Sequence, residues 1–246
     1  MANSRQLSSF FYRRLARWIT CEVQLLGEHR LALNSKFQVN SLQDVFCHPF
    51  YWQLYGWLPA APAFVVDLGA HCGHFSMLAD ICFRTQFGHC EPQYLLIEPN
   101  PKLVRAIEAN LQRSGLCRRH ELLRGLVGGK RTGSDQLWVC SRNFLSASLQ
   151  QSAGTYAVDA DYLDLDAIIQ DRKIDLLKID IEGAEYEFVE NYPELLKSTN
   201  FAMLEIHERP QYRLQSIYEA MEQAGLRLRS APLKHGVAFL AMFERG

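Results

Sequence analysis

Several features that would classify a chain quickly are missing from this sequence. It has no excess of either charge, with 26 Lys and Arg against 27 Asp and Glu. A nucleic-acid surface normally shows a basic excess, so no nucleic-acid partner is expected. The seven cysteines are scattered and form no C-x-x-C pair. That excludes a zinc ribbon and a disulfide framework, and a reducing cytoplasmic setting is the reading that follows. No apolar run approaches the ~18 residues of a membrane span. Arg13, Arg14 and Arg17 interrupt the apolar N-terminus, so it does not read as a signal peptide. Internal repeats and low-complexity tracts are also absent.

The most telling absence is a single glycine. In VVDLGAHCGHFS, Val65 to Ser76, an apolar strand runs into Asp67, a turn follows and a helix opens. A dinucleotide site wants G-x-G-x-x-G, because a pyrophosphate must sit on the turn. Here His71 stands in the middle-glycine place, between Gly69 and Gly73. A second apolar strand ends at Glu98, where a carboxylate can take both ribose hydroxyls. The pattern suits an adenosine cofactor without phosphate, whose cationic amino-acid end favours the Asp67 carboxylate. S-adenosylmethionine (SAM) has that description. The competing reading is a strand–turn–helix that binds nothing, and Glu98 at the expected distance weighs against it.

The remaining sequence is ordinary for a globular protein, 48% hydrophobic and 22% charged. Residues 1 to about 60 read as helices and loops. Leu7, Phe10, Phe11, Leu15, Trp18 and Ile19 form one helical face with arginines interleaved. Such a face can lie on a membrane surface, but packing on the domain is the preferred reading. Aromatics from Phe46 to Trp57 suggest a lid or buttress. From Phe64 onward, short apolar runs alternate with helical periodicity, which predicts a parallel sheet built from βαβ units. Strands are expected at Phe64–Leu68, Tyr94–Ile97, Glu121–Val127, Ile174–Ile179 and Ala202–Ile206. Helices are expected at His74–Arg84, Lys102–Ser114 and Arg213–Ala224. LWVCS and TYAVDADYL read as short strands of an insertion, and the tail reads as a closing antiparallel hairpin.

Open parallel sheets bind ligands beyond the carboxyl ends of their strands. Asp67, Glu98, Asp180, Glu182, Glu205 and His207 all fall at such ends. Lys178, Asp180 and Glu182 alternate with apolar residues, so they share one strand face. Buried charge is costly unless paired, so Lys178 is expected to be paired. His71, Cys72 and His74 lack a second pair at zinc spacing and read as turn filler, as do His89 and Cys90.

Taken together, these segments resemble the FkbM-type class I SAM-dependent methyltransferases. VVDLGAHCGHFS resembles that family's first motif, and LIEPNPKLVRAIEANL with Asn110 its second. LDLDAIIQDRKIDLLKIDIEGAEYEFVE resembles its most diagnostic block, and AMLEIH is similar to its fifth strand. The chain departs at His71 and Cys72, where an asparagine and a small residue are usual. The resemblance spans about Phe64 to His207. It implies a Rossmann-like α/β fold with a mostly parallel seven-stranded sheet and helices on both faces, to which the reading of residues 1 to about 60 adds a helical N-terminal extension. The corresponding division is residues 1–60 as extension and 61–246 as methyltransferase domain, with a strand-rich insertion near 130–162. It also implies that Asp67, Gly69, Ala70, Gly73, Phe75, Glu98 and Pro99 line the cofactor and that Asp180 stands beside the reactive methyl.

The expected activity is O-methylation of a small molecule bearing a hydroxyl, such as a sugar or natural-product scaffold. Asp180, His207, Glu182 and Lys178 are the expected catalytic group, with His207 as base and Asp180 orienting it or the substrate. A divalent ion on Asp180, Glu205 and His207 is the less favoured variant, and no metal ligand is assigned. N-methylation and a non-catalytic SAM-binding partner protein are the alternatives, because fold alone does not choose an acceptor.

Overall fold

A computed structural model of the chain describes residues 21–25, 29–33, 36–116, 118–129, 131–140, 147–149 and 151–246. The amphipathic stripe at 7–19 lies outside the described residues. The central strand β3 (Phe64–Leu68) is buried along its whole length, as a continuous apolar run covered on both faces must be. β4 (Gln93–Ile97) and then β5 (His120–Leu123) lie parallel to one side of it. β9 (Ile174–Ile179) and then β10 (Thr199–His207) lie parallel to the other side. β13 (Ala238–Arg245) closes the sheet antiparallel to β10, and β11 (Leu226–Leu228) and β12 (Leu233–His235) both pair with it. Seven strands form one path, β11-β13-β10-β9-β3-β4-β5, with β12 off it. Strand order runs outward in opposite senses from the parallel pair β3 and β9, which is the topological switch point where open α/β sheets take ligands.

Period-two alternation separates the two cores. Val65 and Leu176 face α3 (His74–Phe87) and α4 (Pro101–Leu111). Val66 and Leu177 face the other layer, with α5 (Leu165–Ile169), α6 (Glu185–Asn191), α7 (Pro193–Lys197) and α8 (Leu214–Gln223). The E-P-N-P step explains the start of α4. The Asn100 side chain accepts from Lys102 N at 3.1 Å as its N-cap, and Pro101 occupies the first turn.

The N-terminal part carries α1 (Lys36–Phe46) and α2 (Pro49–Trp52), which pack on α3. It also carries strands that a reading as helices and loops does not anticipate. β1 (Cys21–Gln24) and β2 (Arg30–Leu33) form an antiparallel pair. Ala32 N donates to Asn110 Oδ1 at 3.0 Å, which fixes β2 to the end of α4. The insertion is a three-stranded antiparallel sheet of β6 (Ser134–Cys140), β7 (Ala147–Ser148) and β8 (Thr155–Asp161). β5 stops at Leu123, four residues before the expected end. Leu126 turns away to bond Asp161 O and Leu163 N instead, at 2.8 and 2.9 Å. Among the described residues, no helix is long and apolar enough to cross a membrane.

Candidate functional site

Three strand ends and their loops meet at the switch point. Asp67, the fourth residue of β3, is fully buried. Its Oδ2 accepts from Ser76 Oγ at 2.7 Å, and its Oδ1 lies 3.3 Å from Lys178 Nζ. Lys178 also lies 3.3 Å from Asp180 Oδ2 and donates to Gly69 O at 2.6 Å. Burial alone would push the Lys178 ammonium down, but Asp180, Asp67 and Glu205 outweigh it and hold its pKa above the ordinary value. The expected pairing of Lys178 is thus found. Gly69, at φ +72°, permits the close approach of β3 and β9, because a Cβ there would lie 1.7 Å from Asp180 O.

Glu98 leaves the end of β4 into an open cleft. Its carboxylate is held at both oxygens, by Asn100 N at 2.9 Å and His71 N at 2.9 Å. Burial raises its pKa to about 7, against the lowering effect of those two N–H donors. Gly69, Glu98 and Pro99 line this cleft with Asp180, Glu182 and a set of aliphatic side chains that includes Leu126 and Ile181. A second cavity adjoins it and is lined by Ala70, Phe75, Lys178, Glu205 and Tyr51 among others. His71, Asp180 and Glu182 belong to both and form the shared wall. His71 and Glu182 are non-glycine residues at φ 53° and 55°. Backbone strain of that kind gathers at sites that the surrounding structure over-determines.

Not every expected residue reaches a cavity wall. Asp67 lines neither cavity and is occupied by Lys178 and Ser76. Gly73, at φ +75°, opens α3 and packs on Ile107. His207 lies behind the wall. Its Nδ1 is 3.1 Å from Glu185 Oε1 and its Nε2 3.6 Å from Glu182 Oε2. Burial lowers the His207 pKa, but the Glu185 hydrogen bond and charge, with Asp180 and Glu182, overcome this and raise it to about 9. At neutral pH the ring is therefore a cation facing two carboxylates, with no lone pair to take a proton. To serve as the expected base, His207 would first have to give up that proton.

Besides Glu182, whose carboxyl burial and the Asp180 charge raise to about 7, the second cavity holds Glu205. It is half-buried at the end of β10, on the second cavity. Burial and the Asp180 charge raise its pKa to about 7, against the lowering effects of His207, Tyr51 and Lys178. Asp180, Glu205 and His207 offer atoms within 4.8 Å of one another. Each already faces an internal counter-charge or donor, Lys178, Tyr51 and Glu185 respectively. The set therefore fits an ion-pair cluster better than a cation site. Sequence reasoning passed over Glu185, which is fully buried and also accepts from Ile181 N and Gly183 N at 3.1 and 2.9 Å. It also read His71 as filler, although the backbone N–H of His71 fixes Glu98. The signal for Glu185 was present, as the last acid of the I-E-G-A-E turn.

The donor set of the first cleft suits a nucleoside without phosphate. An ionised carboxylate offers about four lone-pair sites, and two backbone donors leave Glu98 with acceptor capacity for ribose hydroxyls. Glu98, Asp180 and Glu182 all line this cleft, and among the described residues no Lys or Arg does. A pyrophosphate would meet repulsion there. The class this fold and cleft define is a Rossmann-like α/β enzyme for an adenosine cofactor.

The family model described as methyltransferase FkbM domain matches residues 67–229. The chain belongs to that family and is a SAM-dependent methyltransferase. No curated protein matches its sequence. Among solved structures it is similar to precorrin-6Y C5,15-methyltransferase from Geobacter metallireducens, at 12% identity and TM-score 0.48, over 80% of this chain and 87% of that one. A methyltransferase from Pyrococcus furiosus is similar at 12% identity and TM-score 0.46, over 99% and 100% of the two chains. A TehB-like SAM-dependent methyltransferase from Corynebacterium glutamicum is similar at 12% identity and TM-score 0.46, over 85% and 96%.

Proposed function

We propose that the protein methylates a hydroxyl of a small polar molecule, such as a sugar or natural-product scaffold. The observation that carries this reading is the pair of adjoining cavities, with Glu98 on one side of a shared wall and Glu205 on the other. When bound, SAM supplies an electrophilic methyl group on a sulfonium. Glu98 accepts from the ribose hydroxyls, and Gly69 and Pro99 complete that end of the cleft. Asp180 and Glu182, in the shared wall, face the junction where acceptor and methyl meet. Lys178 keeps Asp180 fixed and compensates its charge. Positioning of this kind can supply about 7–11 kcal/mol of the barrier. Glu205 takes the hydroxyl proton as the new bond forms. A base with a pKa near the working pH serves this best, and about 7 fits. His207 holds Glu182 and the Glu185 turn in place as a cation.

N-methylation is the second reading. Asp180, Glu182 and Glu205 in the acceptor cavity would draw in an ammonium, which must then lose its proton to one of them. Methyl-¹³C SAM incubated with the protein and a small-molecule extract separates the two. We expect the transferred carbon to show the chemical shift of a methyl ether. A methylamine shift would overturn O-methylation, while leaving the methyltransferase class in place.

A further inference from the structure

Building on the role of Glu205 above, we propose that Tyr51 is a positioning residue that sets the Glu205 carboxylate at the acceptor cavity. The N-terminal segment would then be part of the active site and not merely a cover. Tyr51 sits on α2, far from Glu205 in sequence, and its hydroxyl donates to Glu205 Oε2 at 3.0 Å. The side chain is 7% exposed. Its ring is wedged edge-on against Phe50 and Phe75, at centroid distances of 5.3 and 6.1 Å. Burial, Glu205 and Asp180 hold the phenol well above its ordinary pKa, so it remains a donor.

A glutamate at a strand end has free rotamers unless something holds its head group. On the other side Glu205 pairs with Leu240 of β13, which offers no side-chain donor. The charged groups acting on it are Lys178 from β9, Asp180 just after that strand and His207 from its own strand, while Glu182, Asp44 of α1 and His235 of β12 line the same cavity. Tyr51 is the neutral donor in this set. A hydrogen bond to the ionised carboxylate favours that form, so Tyr51 holds Glu205 both in place and ready to accept a proton. Ser41, Asp44 and Val45 of α1 line the same cavity, so both helices of the segment contribute to its wall.

The test is ¹³C NMR of the full chain labelled at the glutamate side-chain carboxyl, titrated without ligand. The Glu205 signal is the one missing from Glu205→Gln. In the wild type its midpoint should fall near 7. Tyr51→Phe keeps the ring and removes only the bond, and should move that midpoint up by about one pH unit. It should leave S-adenosylhomocysteine affinity within about twofold by calorimetry. A midpoint that stays in place in Tyr51→Phe overturns the inference. Wild-type protein that binds no S-adenosylhomocysteine would instead overturn the cofactor reading, and the Tyr51–Glu205 coupling would still be measured.

Discussion

Glu98, Glu205 and His207 retain protons that such groups in water would release. All three pKa values are raised, to about 7, 7 and 9 from ordinary values of 4.5, 4.5 and 6.5. The folded state therefore binds more protons than the unfolded chain between about pH 4.5 and 9, and stability must fall as pH rises. The carboxylates incur their cost as pH climbs from about 4.5 through 7. His207 contributes fully below 6.5 and loses that contribution as pH rises through about 9. Glu182, also raised to about 7, adds to the fall, whereas buried His74, lowered to about 3, opposes it up to about pH 6.5; Asp80 and Glu244, with lowered pKa values, cost stability only in stronger acid. The unliganded protein should therefore melt at progressively lower temperature from about pH 5.5 to 9, and His207→Gln should flatten the upper part of that fall. A melting temperature that is level or rises across this range contradicts the proton inventory. The acids themselves were legible from their places at strand ends. Their donors were less so, because Tyr51 stands 154 positions from Glu205 and only packing joins them.

At the level of elements, the buried Asp80 on α3 holds several pieces together. Arg84 Nε lies at 2.8 Å and Arg119 Nη1, just before β5, at 2.9 Å. His29 Nε2, just before β2, lies at 2.9 Å, and Tyr94 OH of β4 donates at 3.2 Å. Removing one partner of a buried ion pair leaves the others uncompensated, at a cost of about 3–5 kcal/mol. Asp80→Asn should lose stability on that scale in urea unfolding, and a loss below about 1 kcal/mol would show that the cluster is not a clamp. The elements themselves were legible to different degrees. β3 and β9 were read to the residue, because a central parallel strand is one uninterrupted apolar run. The end of α4 was read three residues late, since Gln112 to Ser114 continue as hydrogen-bonded turns after the helix. β1 and β2 are four residues each, too short to show a period, and β2 depends on Asn110, 78 positions from Ala32.

For the whole molecule, the family was legible because its motifs are local: a strand end, a turn and the first residues of a helix. The meeting of Asp67, Glu98, Asp180, Glu205 and His207 near one switch point followed from sheet topology alone. The second cavity did not, because α1 and α2 reach its wall through tertiary packing. The charge states near the site were also not readable, since burial and cross-strand neighbours decide them. Both features bear on how the acceptor is chosen, whereas the proposed cofactor site centres on Glu98. The most direct measurement is calorimetric titration of the full chain with S-adenosylhomocysteine, beside Glu98→Ala and beside NADH. The structure predicts a saturable heat with the wild type, at least tenfold weaker affinity in Glu98→Ala as hydrogen bonds to a charged group are lost, and no binding of NADH. No heat with S-adenosylhomocysteine, or equal affinity in Glu98→Ala, would contradict it.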